Sequence, residues 1–350
     1  MANNSILFSS SEDYFEAAAR ELREAFEGAS IKRLGPDLGR FEGAGTSLAQ
    51  VSEAAWSAPL VFVRHLTEEM AHIPTDKAKI EEVSALGVKI AEERVHPGEG
   101  ISIQCWVSGR SAVGYNSYSL FERISADLAE SGFRTARSGF NEVMSVCVNS
   151  KGVSIGFAIG RQGLSDWPGG RVRLSKHKAL ISRAELKLEE AIKVLGVQFP
   201  SDGTAVDLGA SPGGWTNVLR RSGLEVWAVD PGDIDGRLLG DPRVHHVRTT
   251  AGRFFASSDQ RFAVVVNDMR MDPRLSCKVM LDAADRLRPG GLAVMTLKLG
   301  SSRPFTIVRN SLETLRKQYD VLHARQLQHN RHEITVVCRL RAARTRRASR

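Results

Sequence analysis

The chain has 350 residues, 48 lysines and arginines against 40 aspartates and glutamates, and 42% hydrophobic residues. At about 150 residues per domain this gives roughly two to three domains, and the apolar fraction supports real cores, which excludes wholesale disorder. The longest uninterrupted apolar run, residues 262–266, is far short of the about 20 residues that cross a bilayer.

The opening MANNSILFSS lacks the basic and long apolar regions of a secretory signal, so no membrane association and a cytoplasmic location are expected. Cys105, Cys147, Cys277 and Cys338 are spaced by 42, 130 and 61 residues. That spacing matches neither a metal knuckle nor a disulfide framework and fits a reducing compartment. The net charge of +8 is concentrated at the end. The last twelve residues, RLRAARTRRASR, carry six arginines and no acid, and without them 42 basic residues face 40 acidic ones. The body is therefore mildly basic. The basic tail, 341–350, reads equally as a polyanion contact and as a solubilising end.

In chain order, Ser11 is placed to cap a helix whose apolar stripe is Phe15, Ala18, Leu22, Ala25 and Phe26. Residues 60–66 read as a buried strand, and a charged helical stretch follows around 76–86. His96-Pro97-Gly98-Glu99-Gly100 reads as a linker between an α+β region, 1–97, and a second small module, 98–168. In that module 101–107 is strand-like, 117–131 is helical with Leu120, Ile124 and Leu128 four apart, and 143–148 and 153–158 are strands. From 169 to 340 the pattern becomes strand–helix–strand. The runs 206–208, 226–230, 262–268 and 292–298 are short and apolar on both faces, as in the parallel sheet of a doubly wound, Rossmann-like α/β fold. The runs 321–327 and 333–339 close the chain as a hairpin.

The strongest local signal is TAVDLGASPGGWT, residues 204–216: a strand, a glycine loop and a helix start. Glycines allow a tight turn and a close approach to a ligand. Asp230 ends the next strand, 23 residues after Asp207, where an acid suits the hydroxyls of a ribose. Pro212 removes an N–H that a diphosphate cradle would need. Asp207 brings a carboxylate near the loop, which a cationic, amino-acid-bearing cofactor accepts. S-adenosylmethionine has a sulfonium, an amine and a ribose diol. It fits Asp207, Gly209, Ala210, Ser211, Pro212, Gly213, Gly214, Trp215 and Asp230 better than a nicotinamide dinucleotide does.

Open α/β folds bind ligands at the carboxyl ends of their strands. Asp268 ends one strand and Lys298 another; each also reads simply as a solvated strand end. Lys187 lies on a helix that starts at Ser182 with a capping box to Glu185, beside the stripe Ala184, Leu188, Ala191 and Leu195. Glu333 opens the last strand. His245 and His246 are adjacent on a strand and face opposite ways, which argues against a metal site. Arg171, Arg173, Lys176, Lys178 and Arg183 form a basic run leading into the Lys187 helix and read as a phosphate track for RNA. Trp167 reads as core packing or as a base-stacking surface.

Taken together, SRAELKLEE at 182–190, the string 207–215, Asn267-Asp268-Met269, Leu297-Lys298, and ARQL at 324–327 followed by RHEITV at 331–336 resemble the FtsJ-type ribose 2′-O-methyltransferases, and within them the RlmM subgroup. The resemblance implies S-adenosylmethionine-dependent methylation of a cytidine ribose in large-subunit ribosomal RNA by a monomeric enzyme without a metal. It implies a catalytic Lys-Asp-Lys-Glu tetrad at Lys187, Asp268, Lys298 and Glu333, with Asp268 also beside the cofactor. It further implies a ferredoxin-like part and an RNA-binding THUMP module ahead of the catalytic domain. Two stretches depart from the family. Residues 247–252, VRTTAG, lack the acid expected at the adenine, and Arg270-Met271-Asp272-Pro273 differs from the common loop. A methyltransferase for tRNA or an mRNA cap, and a non-catalytic RNA-binding ribosome assembly factor, are the competing readings.

Overall fold

The computed structural model describes residues 5–43, 45–57, 60–174, 180–300 and 303–342. Two compact units divide the chain, Met1–Arg173 and Leu174–Arg350, each built on its own sheet.

The first unit has eight strands: β1 (Ser5–Ser9), β2 (Ser30–Arg33), β3 (Leu38–Glu42), β4 (His65–Pro74), β5 (Gly100–Val107), β6 (Arg134–Ala136), β7 (Glu142–Asn149) and β8 (Gly152–Ile159). Their order is β2-β3-β1-β4-β8-β7-β5-β6. The helices are α1 (Phe15–Ala25), α2 (Leu48–Ser57), α3 (Ile80–Arg94) and α4 (Ser117–Glu130). The expected boundary at 97/98 falls inside this sheet, because β4 pairs antiparallel with β8 from Glu68↔Phe157 to Pro74↔Gly152. The stretch 96–100 is a tight turn from α3 into β5, with Gly98 at φ 88°. Proline and glycine mark a chain reversal there, and reversals occur within domains as well as between them. The unit ends at Arg173 rather than at 168.

Two local expectations change. Residues 60–63 are buried but irregular, and the strand begins at His65. Glu21 of α1, itself buried, accepts from the Phe62 N–H at 3.0 Å and so satisfies backbone that has no ladder partner. Ser11 makes no side-chain cap; it precedes a short 3-10 turn, Glu12–Tyr14, that leads into α1. Phe15, Ala18 and Leu22 are buried, but Ala25 is exposed. The pattern at α4 holds. Asn116 caps it by accepting from the Tyr118 and Ser119 N–H groups, and Leu120, Ile124 and Leu128 pack against β5, β7 and β8.

The second unit contains β9 (Thr204–Leu208), β10 (Glu225–Val229), β11 (Val244–Val247), β12 (Phe262–Asn267), β13 (Leu287–Lys298), β14 (Tyr319–Arg325) and β15 (Glu333–Leu340), in the order β11-β10-β9-β12-β13-β15-β14. The first five are parallel, and β15 runs antiparallel between β13 and β14. Helices α5 (Ala184–Leu195), α6 (Gly214–Arg221), α7 (Gly236–Leu239), α8 (Ala251–Ser257), α9 (Pro273–Ala284) and α10 (Pro304–Leu315) complete a Rossmann-like fold. The strand order reverses between β9 and β12, which opens a crevice beyond their carboxyl ends. Among the described residues no helix is long and apolar enough to cross a membrane.

Ile124 is fully buried in the first unit's core. Ile124→Ala is expected to lower the unfolding free energy by about 2–5 kcal/mol through lost burial and the cavity left behind. Urea unfolding followed by circular dichroism checks this; a change under about 0.5 kcal/mol would contradict the packing.

Candidate active site

Four charged side chains converge at the carboxyl ends of β12 and β13. The Lys187 Nζ donates to both Asp268 carboxylate oxygens, at 3.1 and 3.0 Å, and lies 2.5 Å from Glu333 Oε1. The Lys298 Nζ donates to Asp268 Oδ1 at 3.0 Å, to Thr296 Oγ1 at 2.9 Å and to Glu333 Oε2. Thr296 Oγ1 in turn donates to Asp268 Oδ1 at 2.6 Å. The four charged side chains are between 7% and 24% exposed, so the ring is largely shielded yet open on one side. Burial by itself pushes the Lys187 ammonium towards its neutral form. The Asp268 and Glu333 carboxylates outweigh that, and its pKa lies above that of an ordinary lysine. Two carboxylates stand between Lys187 and Lys298 and hold the Lys187 ammonium in its charged form.

Each position follows from local structure. Lys298 and Thr296 are two apart on β13 and share a face. Glu333 is the direct cross-strand partner of Lys298, so its side chain lies beside the lysine. Asp268 follows β12, where the buried Asn267 fixes the turn: its Oδ1 accepts from the Met269 N–H at 2.9 Å and its Nδ2 donates to Ser276 Oγ at 3.2 Å. Lys187 is carried by α5, whose Leu188, Ala191 and Leu195 are buried. The helix begins at Ala184 rather than at Ser182, and half of the expected capping box forms: Glu185 Oε1 accepts from the Ile181 and Ser182 N–H groups, at 2.5 and 3.3 Å, while Ser182 Oγ accepts from the Ala184 N–H at 3.3 Å rather than from that of Glu185.

Two contributors, Thr296 and Glu190, escaped sequence reasoning, and a third, Glu185, was read only as a cap. Thr296 was detectable as the residue two before Lys298 on an alternating strand. Glu190 is buried on α5 and accepts from the Gln328 N–H, the His329 N–H and the His329 ring, at 2.8, 2.8 and 2.7 Å, which holds the turn before Glu333. Glu185 reaches beyond its cap to Asn217 Nδ2 at 3.0 Å and to Arg221. No sequence spacing ties Glu190 to residue 328.

The glycine loop sits where expected, between β9 and α6. Gly209 and Gly213 have φ of 76° and 111°, and a Cβ at either would meet Met269 Cγ or Leu238 Cδ1 at 2.2 and 2.3 Å. Gly214 is buried against Ser182, whose Oγ lies where a Cβ would go. Ser211 and Pro212 are exposed at the rim, and Ala210 is buried beneath them. Asp230, at the end of β10, accepts from the Ser211 N–H at 3.2 Å and the Gly232 N–H at 2.7 Å. Two residues differ from the expectation of direct ligand contact. Asp207 is only 1% exposed and lies under the loop, its Oδ2 accepting from Thr216 Oγ1 at 2.7 Å; burial raises its pKa to about 7. Trp215 is buried, and its Nε1 donates to the Ala184 carbonyl at 2.8 Å, so it joins α6 to the start of α5.

A family model described as FtsJ-like methyltransferase matches residues 180–338, the span that holds the ring and the loop. These residues are similar to that family. The chain is 40% identical over 186 residues to the Ribosomal RNA large subunit methyltransferase M of Halorhodospira halophila, covering 51% of this chain and 53% of that protein. It is 34% identical over 220 residues to the protein of the same name from Alkalilimnicola ehrlichii, covering 60% of this chain and 59% of that protein. The chain thus spans about half the length of the curated relatives it matches.

Around the matched span the remaining expected residues fall apart into separate environments. Arg183 is exposed beside the start of α5. Arg171 belongs to the first unit, where its guanidinium pairs with Asp37 and lies 5.0 Å over the Trp106 ring. That corrects the picture of Arg171 as an open phosphate contact. Arg173 is exposed. Lys176 and Lys178 lie outside the described residues, as does the tail beyond 342. Thr250 is used as a helix cap, accepting from Arg253 N–H at 3.4 Å. His245 pairs with Glu225 at 2.7 Å, while His246 meets the Asp230 carbonyl at 3.4 Å. Among the described residues no group of three or more His, Cys, Asp or Glu could hold a metal ion.

The raised pKa of Asp207 has a pH signature. The folded state holds this proton more tightly than the unfolded chain, whose ordinary value is 3.8. The stabilising effect of protonation is complete below about 3.8 and is lost as pH rises through about 7. Asp207→Asn removes the titration and keeps an acceptor for Thr216. Its stability relative to the parent chain is therefore expected to grow by about 1–3 kcal/mol from pH 5 to pH 8. Denaturant unfolding at both pH values decides it, and a pH-independent difference would contradict the assignment.

Proposed function

We propose that this chain is an S-adenosylmethionine-dependent ribose 2′-O-methyltransferase of large-subunit ribosomal RNA, with Lys187, Asp268, Lys298 and Glu333 as its catalytic tetrad and a cytidine as the target. The observation that carries the reading is the closed Lys–Asp–Lys–Glu ring at the carboxyl ends of the strands, beside the glycine loop. The names of the relatives support ribosomal RNA as substrate, and the motif resemblance supports cytidine. Activity, substrate and catalytic roles are this proposal's content.

The loop fits the cofactor. Met269 and Leu238 fill the space that a Cβ at Gly209 or Gly213 would need and so hold the loop's turns, and Asp230 offers a carboxylate held by two backbone donors at the loop's mouth. Glu and Asp at that strand end suit a ribose diol. When bound, S-adenosylmethionine supplies the methyl group.

The chain's own task is to make a ribose hydroxyl nucleophilic. Its proton passes to the neutral amine form of Lys298, which becomes an ammonium while the hydroxyl oxygen gains the electron pair it uses in attack. Lys187, kept cationic by Asp268 and Glu333, stabilises negative charge developing on that oxygen. Asp268 and Glu333 orient both lysines and balance their charge. Fixing the hydroxyl against the methyl group lowers the barrier further by removing the entropy cost of their encounter.

The test of the whole reading is methyl transfer to large-subunit ribosomal RNA transcripts, with mass-spectrometric mapping of ribose methylation and tRNA as comparison. Methylation of a single cytidine 2′-oxygen is expected; base methylation, or transfer to tRNA alone, would overturn it. Lys298→Ala is expected to lower single-turnover rates by at least about 100-fold, with RNA and cofactor affinity within a few fold. Lys298→Arg keeps the charge but has no accessible neutral form to accept a proton, and is expected to be equally inactive. Near-parental rates in either variant would remove Lys298 as the base.

A further inference from the structure

The stretch that leads into Glu333 is fastened at almost every step. Its short 3-10 turn, Gln328–Asn330, is held to α5 by Glu190, which accepts from the Gln328 and His329 N–H groups at 2.8 Å each. The Leu327 N–H donates to Asn330 Oδ1 at 2.9 Å, and Asn330 Nδ2 donates to Thr335 Oγ1 at 2.9 Å. Gln326 Nε2 donates to the Arg331 carbonyl at 2.7 Å, and the Leu299 N–H donates to the His332 carbonyl at 3.0 Å. Between these ties Arg331 is held at φ 53° and ψ −104°.

That conformation matches the first central position of a type II′ turn, where a Cβ is crowded by the backbone and glycine is the ordinary occupant. Among the described non-glycine residues only Leu164, Arg303 and Arg331 have positive φ. Arg303, at φ 55° and ψ 48°, lies in the small left-handed helical region that side chains can visit, and Arg331 lies outside it. Strain of this kind persists where the surroundings over-determine it, and it collects at functional sites. If only the shape of the turn mattered, glycine would supply it without strain. What residue 331 adds is a side chain. That side chain is exposed and has no hydrogen-bond or ion-pair partner among the described residues.

Arg331 stands two residues before Glu333, which pairs across the sheet with Lys298. The ring at this point holds two ammonium groups and two carboxylates, so it has no net charge with which to attract an anion. Asp230, by the glycine loop, adds a further carboxylate to the same edge. An RNA strand brings a phosphate on either side of every ribose. A guanidinium at the ring's border supplies the missing attraction, and its planar fork of donors suits a phosphate. Arg183 and Arg270 are exposed on the neighbouring segments, but neither has positive φ. We propose that Arg331 binds a phosphate adjoining the ribose to be methylated, and that its strained backbone is what sets the guanidinium beside the ring. The proposal rests on the RNA reading above and adds a substrate-binding residue to that site.

The experiment compares the full chain with Arg331→Ala, Arg331→Gly and Arg331→Lys. It measures urea unfolding, affinity for a large-subunit ribosomal RNA transcript over a potassium chloride series, and calorimetric affinity for S-adenosylmethionine. The glycine variant is expected to unfold at a higher urea concentration than the alanine variant, since glycine takes this φ without strain. Both are expected to bind the transcript about tenfold less tightly, with the salt slope reduced by about 0.7–0.9, the value for one phosphate contact. Arg331→Lys is expected to bind within a few fold of the parent chain, because an ammonium also donates to a phosphate. Cofactor affinity is expected to stay within a few fold in all three. Parental RNA affinity in the glycine variant would mean that the turn needs only its shape, and would overturn the proposal. So would an unchanged salt slope in both truncations, or a glycine variant that unfolds before the alanine variant. Affinity and methyl transfer are read separately on the parent chain. Absent transfer counts against the function proposed above, and unchanged affinity in the truncations counts against Arg331 alone.

Discussion

Two ammonium groups and two carboxylates neutralise one another at the end of the second unit's sheet, and much of that unit is arranged to bring them there. A single charge buried at this depth would cost several kcal/mol, and alternating signs offset most of it. The four groups come from four segments: α5, the turn after β12, the end of β13 and the start of β15. Strand direction makes the meeting possible. β9 to β13 run parallel, so their carboxyl ends share one edge. A further parallel strand would deliver its carboxyl end there as well. β15 runs the other way and delivers its beginning, which is why Glu333 can open a strand and still face the residue that closes another.

The helix α5 is the wall common to the ring and the loop. Lys187 points from it into the ring, while two buried acids anchor it on either side. Glu185 ties its first turn to α6, and Glu190 ties its middle to the turn that precedes Glu333. Trp215 adds a bond from α6 to the Ala184 carbonyl. Displacement of α5 would therefore disturb the loop and the ring together. This explains why a buried acid such as Asp207 can matter to the loop without touching a ligand: its bond to Thr216 fixes the first turn of α6 beneath the glycines.

Legibility in the sequence followed the range of the forces involved. The strands of the second unit were readable because burial on both faces leaves uninterrupted apolar runs. Leu120, Ile124 and Leu128 were readable because a helix repeats locally. The ring residues were found by strand ends and by motif resemblance, and the geometry then brought all four within hydrogen-bond reach. What stayed hidden was long-range. The pairing of β4 with β8 leaves no mark in either strand, so one sheet was divided at a proline–glycine turn. Arg171 looked like part of a basic run because its partner, Asp37, is far away in sequence. Trp215 and Asp207 looked like ligand contacts because a glycine loop shows which residues are adjacent, but not which of them lie beneath it.

The ring's hydrogen bonds also constrain how it could act on a hydroxyl. Lys298 has three N–H donors as an ammonium, and Asp268, Thr296 and Glu333 accept from all three. Thr296 fixes the direction of this set, since its hydroxyl proton is given to Asp268 and its oxygen therefore faces Lys298 as an acceptor. All three bonds can be made at once only by the ammonium form. Once Lys298 loses a proton, its lone pair points at one of the three acceptors, and that contact turns repulsive. On the proposed reading, an incoming ribose hydroxyl that displaces this acceptor relieves the repulsion by donating to the lone pair. On the proposed reading, then, the same bonds that hold the lysine in place also prepare the position of its substrate. Lys187, held by both oxygens of Asp268 and by Glu333, keeps its charge throughout. On that reading, two lysines of identical chemistry are separated in role by the kind of acceptor around each: three carboxylate oxygens at Lys187, and two carboxylate oxygens and a hydroxyl at Lys298.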